Sequence, residues 1–378
     1  MRASRWGVLV ALAGAAALAV PGIAAAAAAH PGRAAQPGGK FVQTNLVSDL
    51  PGQGAQIVDP NLKNPWGLAM GPATPLWAAD NNAGVATIYA IPPGGTTVTK
   101  APLTVSIPGA RASTGDGPSP DGQVFNPTMG FVVSSTAGSG PALFIFVSES
   151  GRITAWSPAA DPITGARSRA QVEFRSKTAV FKGLALARTG HGTFLYAANF
   201  HDGTVDVFNT KFNRVHLRGG FTDPAIPAGY APFGIQNIGG LIYVTYAKQN
   251  AQKHDDVSGP GHGFIDIYTT GGQLIKRLAS RGALNSPWGL ARAPQRFGRF
   301  GGDLLAGNFG DGRISVFTPF SGKFLGQLRD THGNPISIDD LWGLRFGTRI
   351  TGGTHTLLFS AGINDETDGL LGSINPAP

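Results

Sequence analysis

Residues 76–79 and 85–89, 143–147 and 152–156, 194–198 and 204–208, and 304–307 and 313–317 form four pairs of short runs that alternate apolar with small or polar side chains. Each pair flanks a polar turn, such as Asn199-Phe200-His201-Asp202-Gly203 or Asn308-Phe309-Gly310-Asp311-Gly312, whose last glycine supplies a positive φ. A period of two on both sides of such a turn predicts a β-hairpin. No window sustains an apolar period of 3.6 residues over three turns, so long helices are not expected.

A second pattern precedes each hairpin. Asn64-Pro65-Trp66-Gly67-Leu68-Ala69 returns as Asn126-Pro127-Thr128-Met129-Gly130-Phe131, then as Phe181-Lys182-Gly183-Leu184-Ala185 and Ala231-Pro232-Phe233-Gly234-Ile235. It ends with Ser286-Pro287-Trp288-Gly289-Leu290-Ala291 and Asp340-Leu341-Trp342-Gly343-Leu344, the aligned glycines lying 51 to 63 residues apart. Each unit then holds a strand at the phrase, a hairpin and a weaker fourth strand. Repeats of this length and content predict an all-β chain folded as one six-bladed β-propeller of four-stranded blades. The last unit ends one strand short, and the run at 41–47 is free to complete it. Pairing those two segments removes an exposed sheet edge.

The ends and the composition set the remaining bounds. Arg2 and Arg5, the uncharged apolar stretch 7–20 and the alanine run 24–29 predict a signal peptide over residues 1–29, cleaved on the general secretory route. The apolar stretch is too short for a membrane span. Residues 30–40 read as a disordered Pro/Gly/Ala spacer and 41–376 as the propeller, in a secreted, extracellular or envelope protein expected to be a monomer. The chain has no cysteine, which excludes disulfides, thiolate metal sites and thiol nucleophiles. Its net charge of +8 falls to +6 without Arg2 and Arg5, and the basic residues are scattered, so nucleic acid is not an expected partner.

The part from about residue 40 to 376 resembles a bacterial family of uncharacterised exported proteins, similar to NHL-type and TolB-like six-bladed propellers. The resemblance is carried by Gln43-Thr44-Asn45-Leu46-Val47-Ser48-Asp49, Gly122-Gln123-Val124-Phe125-Asn126 and Tyr246-Ala247-Lys248-Gln249, together with Gly261-His262-Gly263-Phe264-Ile265-Asp266. It implies a propeller and export, and no reaction.

Candidate chemistry belongs where the loops of six blades converge around the channel. Asn64, Asn126, Asn285 and Asp340 lead into the phrase strands; Asp80, Glu149, Asn199 and Asn308 sit in hairpin turns. Such oxygen donors suit a hard cation such as Ca²⁺, and six-bladed lactonases resemble this in using an Asn/Asp/Glu ring. Asn and Asp are equally ordinary turn formers. Two insertions add Asn364, Asp365 and Glu366 in blade six and His254, Asp255 and Asp256 in blade four, possible metal ligands without the spacing of a known metal motif. No nucleophile elbow, phosphate loop or dinucleotide fingerprint occurs. Trp66, Phe233, Trp288 and Trp342 share one register position and read as core between blades. The leading expectation is a non-enzymatic propeller that binds an unknown ligand, polymer or protein on its channel face. A metal-dependent hydrolase of the lactonase type and a structural envelope component are the alternatives.

Overall fold

The computed structural model describes residues 39–109 and 117–378. The expected signal peptide, nearly all of the spacer and residues 110–116 lie outside the described residues. The described chain is a six-bladed β-propeller. It contains two short 3₁₀ turns, Gly298–Phe300 and Phe309–Asp311, and no helix among the described residues is long and apolar enough to cross a membrane.

The innermost strands are Pro65–Ala69, Pro120–Phe125, Phe181–Thr189, Tyr230–Ile238, Pro287–Arg292 and Leu341–Phe346. Each packs against the next and the last against the first, which closes the ring. A glycine makes that approach possible in every blade: Gly67, Gly122, Gly183, Gly234, Gly289 and Gly343. A β-carbon on Gly343 would stand 2.6 Å from the carbonyl oxygen of Trp66, and one on Gly234 would run into that of Trp288. Small residues here let strand backbones meet around the axis.

Blade two differs from the expectation. Its inner strand is Pro120–Phe125 and its ring glycine is Gly122, not Gly130. The true phrase is Ser119-Pro120-Asp121-Gly122, which repeats the Ser-Pro-x-Gly of Ser286-Pro287-Trp288-Gly289. Ser119, Ser286, Asn64 and Asp340 all adopt left-handed backbone, with φ of 37°, 47°, 46° and 47°. The asparagine, serine or aspartate that starts the phrase in these four blades therefore has a backbone role, turning the chain into the inner strand.

The chain closes as expected. Phe41–Ser48 pairs antiparallel with Leu370–Pro376, from Phe41 opposite Pro376 to Ser48 opposite Leu370. In blades three and four a buried acid on the third strand binds an arginine on the fourth, Asp206 to Arg214 and Asp266 to Arg277, both at 2.6 Å. These pairs hold the outermost strands and stand apart from the channel.

Candidate functional site

Strand pleating decides what faces the channel. The residue before each ring glycine points the same way, so Trp66, Asp121, Lys182, Phe233, Trp288 and Trp342 come from six blades to one level. Trp66 and Trp342 stack with centroids 3.5 Å apart, and Trp288 meets both edge-on at 5.9 Å. The aromatic members form one cluster with residues from five blades, which is a plug on the axis rather than packing between neighbouring blades. Trp342 Nε1 donates to Asn64 Oδ1 at 3.0 Å, while the buried Trp66 Nε1 has no partner among the described residues.

Two of the six positions carry ionisable side chains instead of aromatic ones. Lys182, with its side chain 3% exposed, donates to Glu149 and stands 3.7 Å from Asp255 Oδ1. Its ammonium lies 5.0 Å above the Trp66 ring. Burial alone would lower the lysine pKa, but Glu149, Asp121 and Asp255 outweigh it and hold the group charged. Asp121 accepts from Asn81 Nδ2 at 2.6 Å, and its other oxygen has no partner among the described residues. Burial, with Glu149 close by, pushes Asp121 well above the usual carboxylate range.

The two insertions complete the mouth. From blade six, Glu366 accepts from Asn64 Nδ2 at 2.9 Å, and its backbone N–H donates to Asp340 Oδ2 at 3.2 Å. Burial raises Glu366 to about 7, against the opposing hydrogen bond from Asn64. Burial and then Asp339 raise Asp340 to about 6. From blade four, His254 hydrogen-bonds Asp255 at 2.7 Å, which raises the imidazole and lowers Asp255 to about 2. The blade-four insertion is tied down by the Gly259 N–H, which donates to Asn285 Oδ1 at 2.6 Å. Two acids that titrate near neutrality beside a fixed ammonium can exchange protons or bind a hydrogen-bonding ligand.

The expected ring of eight oxygen donors is only partly assembled. Asn64, Glu149 and Asp340 reach the mouth. Asn126 lies at the opposite end of the channel, where its side chain binds Thr128 and the carbonyls of Gly130 and Ala142. It follows its inner strand instead of leading into it, a consequence of the displaced phrase in blade two. Asn199 is taken up by Asp202 and Asp206, and Asn308 by the Ala283 carbonyl and the Asn285 N–H. Asp80 is fully buried and burial raises it strongly. Among the insertion residues Asn364 binds Asp368, Asp256 accepts from Ser258, and Asp365 is exposed.

A metal fits this mouth poorly. Ligand atoms of Glu149, His254 and Asp255 lie within 4.8 Å of one another. The Lys182 ammonium already bonds Glu149 and neighbours Asp255, so the charge that a Ca²⁺ or Zn²⁺ would supply is present. Lys182, Asp121 and Asn81 were the residues missed in sequence. The signal for the first two was their position before a ring glycine, where the other blades carry an aromatic.

No family model matches the chain. It is 33% identical over 334 residues to "Uncharacterized protein R648" of Acanthamoeba polyphaga mimivirus, covering 87% of this chain and 78% of that protein. It is 34% identical over 322 residues to "Uncharacterized protein L690" of the same virus, covering 84% and 81%. Among solved structures, a streptogramin B lyase superposes with a TM-score of 0.47 at 11% identity, over 89% of this chain and 97% of that one. A glucose dehydrogenase superposes with 0.46 at 17%, over 84% and 98%. The chain belongs to the family that includes these two mimivirus proteins.

Proposed function

We propose that this member of the family is an exported, non-enzymatic binding propeller that takes a small hydrogen-bonding or cationic ligand, such as a polyol or an amino sugar, at the acidic mouth of its channel. The observation that carries the reading is the Lys182–Glu149–Asp121 cluster with Glu366 and Asp340 beside it. Buried charges are costly to keep, and those of the outer strands hold sheets together whereas these face the channel. Five carboxyl groups, Asp121, Glu149, Asp255, Asp340 and Glu366, face Lys182 and His254 at the mouth, which favours a ligand that donates hydrogen bonds or carries positive charge over a negative one. Export rests on Arg2, Arg5 and the apolar stretch 7–20 of the sequence.

Calorimetric titration with glucosamine, glucose and gluconate tests the reading. Glucosamine should bind most tightly and gluconate least, and Glu366→Gln with Asp340→Asn should abolish the preference. Equal binding of all three, or a preference that survives both substitutions, would refute it. The metal-dependent hydrolase reading keeps one supporting observation, the approach of Glu149, His254 and Asp255. Thermal shift in Ca²⁺ and Zn²⁺ against chelator decides it: the binding-propeller reading expects no shift.

A further inference from the structure

We propose that the opposite mouth of the channel is a second site, which binds an organic anion whose carboxylate or sulfonate is carried on an apolar body. The inner strands run from the acidic mouth through the ring glycines to this end. Asp340 precedes Gly343 and Arg345 follows it, so the two chemistries lie at opposite ends of the same strands. Here the channel opens into a funnel of about 1130 Å³, the scale of a small-molecule site. Arg188, Arg292, Arg345 and Arg349 line it, no acidic side chain among the described residues does, and Phe125, Leu186, Ile238 and Phe346 supply apolar wall.

The arginines are unspent. Arg214 and Arg277 on the outer strands are matched by aspartates, but none of these four forms an ion pair among the described residues. Arg292 reaches the Gly302 carbonyl at 3.4 Å. Arg345 stands at the throat, lining both the funnel and a cavity of about 40 Å³ on the axis. A guanidinium carries five N–H donors, and the hydrogen bond seen for Arg345 is a long one of 3.5 Å to the Met70 carbonyl. Burial works against its charge and lowers its pKa, and a desolvated cation without a counter-charge is unfavourable. An anion seated at the throat supplies that charge through a two-point hydrogen bond, with its apolar body against the phenylalanine and leucine wall.

Calorimetric titration of the purified chain with naphthalene-2-carboxylate, naphthalene-2-carboxamide and inorganic phosphate tests this. The carboxylate should bind once per chain, about tenfold or more tighter than either comparator, and should weaken as NaCl is raised. Arg345→Gln should lower its affinity about tenfold while the circular dichroism spectrum stays unchanged. If that variant fails to fold, Arg292→Gln with Arg349→Gln, both at exposed positions, should weaken the carboxylate several-fold and leave the carboxamide alone. Equal binding of carboxylate and carboxamide, phosphate binding as tightly as the carboxylate, no heat at millimolar ligand, or indifference to the arginine substitutions would overturn the proposal.

Discussion

Replacing Lys182 by methionine keeps the volume of the side chain and removes its charge, so the effect reads the electrostatics of the acidic mouth. The lysine side chain is 3% exposed and its partner Glu149 13%, so solvent does little to screen the pair. Removing one member of a buried pair leaves the other desolvated and costs about 3–5 kcal/mol. Loss of the contact with the Trp66 ring, at 5.0 Å, adds about 0.5–2 kcal/mol, part of which methionine restores through its own packing. A total near 4 kcal/mol is a large share of the roughly 5–15 kcal/mol that holds a folded chain together. In urea, with a slope of about 3 kcal/mol per molar, the midpoint should fall by a little over 1 M. Lys182→Met with Glu149→Gln should recover much of the loss, because neither charge is then left buried, and the cycle should give a coupling of about 0.5–3 kcal/mol. A single variant within about 0.5 kcal/mol of the parent, the range of an ordinary surface change, would refute the reasoning. So would a double variant as unstable as the sum of its parts.

Two further outcomes follow from the same geometry. Burial raises Glu366 from an ordinary 4.5 to about 7, so between those values the folded chain holds a proton that the unfolded chain has released. Stability should therefore fall as pH rises from about 5 to 8, by up to about 3 kcal/mol from this group; Asp340, raised to about 6, acts in the same direction. Glu366→Gln should flatten the dependence of Tm on pH, and an unchanged slope would remove the carboxyl from the account. Gly234→Ala would drive a β-carbon into the Trp288 carbonyl oxygen, and should cost about 1–3 kcal/mol in urea unfolding. Gly190→Ala, which meets open space, should be nearly neutral, and equal effects of the two would sink the ring-contact argument.

The blade count, the strands and the closing segment 41–47 were legible in the sequence because their signals are local. A turn glycine, a two-residue period and a missing last strand can each be read within one unit. Blade two shows where such reading slips. Asp121 stands where four blades have an aromatic, so Asn126-Pro127 offered a better match to the phrase than Ser119-Pro120 did. The six-fold repeat survived that error, since either glycine leaves one blade in that stretch.

The acidic mouth was legible only as a list. Asn64, Glu149, Asp340, Glu366 and Asp255 stand out in the sequence, yet so do Asn199 and Asn308, which hydrogen-bond within their own surroundings. What separates them is which face of a pleated strand each occupies and which neighbour lies opposite. Lys182, from blade three, meets Glu149 of blade two and Asp255 of blade four. Sequence by itself determined that this chain folds into six blades, because hairpins and ring glycines form from near neighbours. Only the closed ring decided where the chemistry lies, because a charge can be kept buried on the axis only when separate blades bring its partners to the same point.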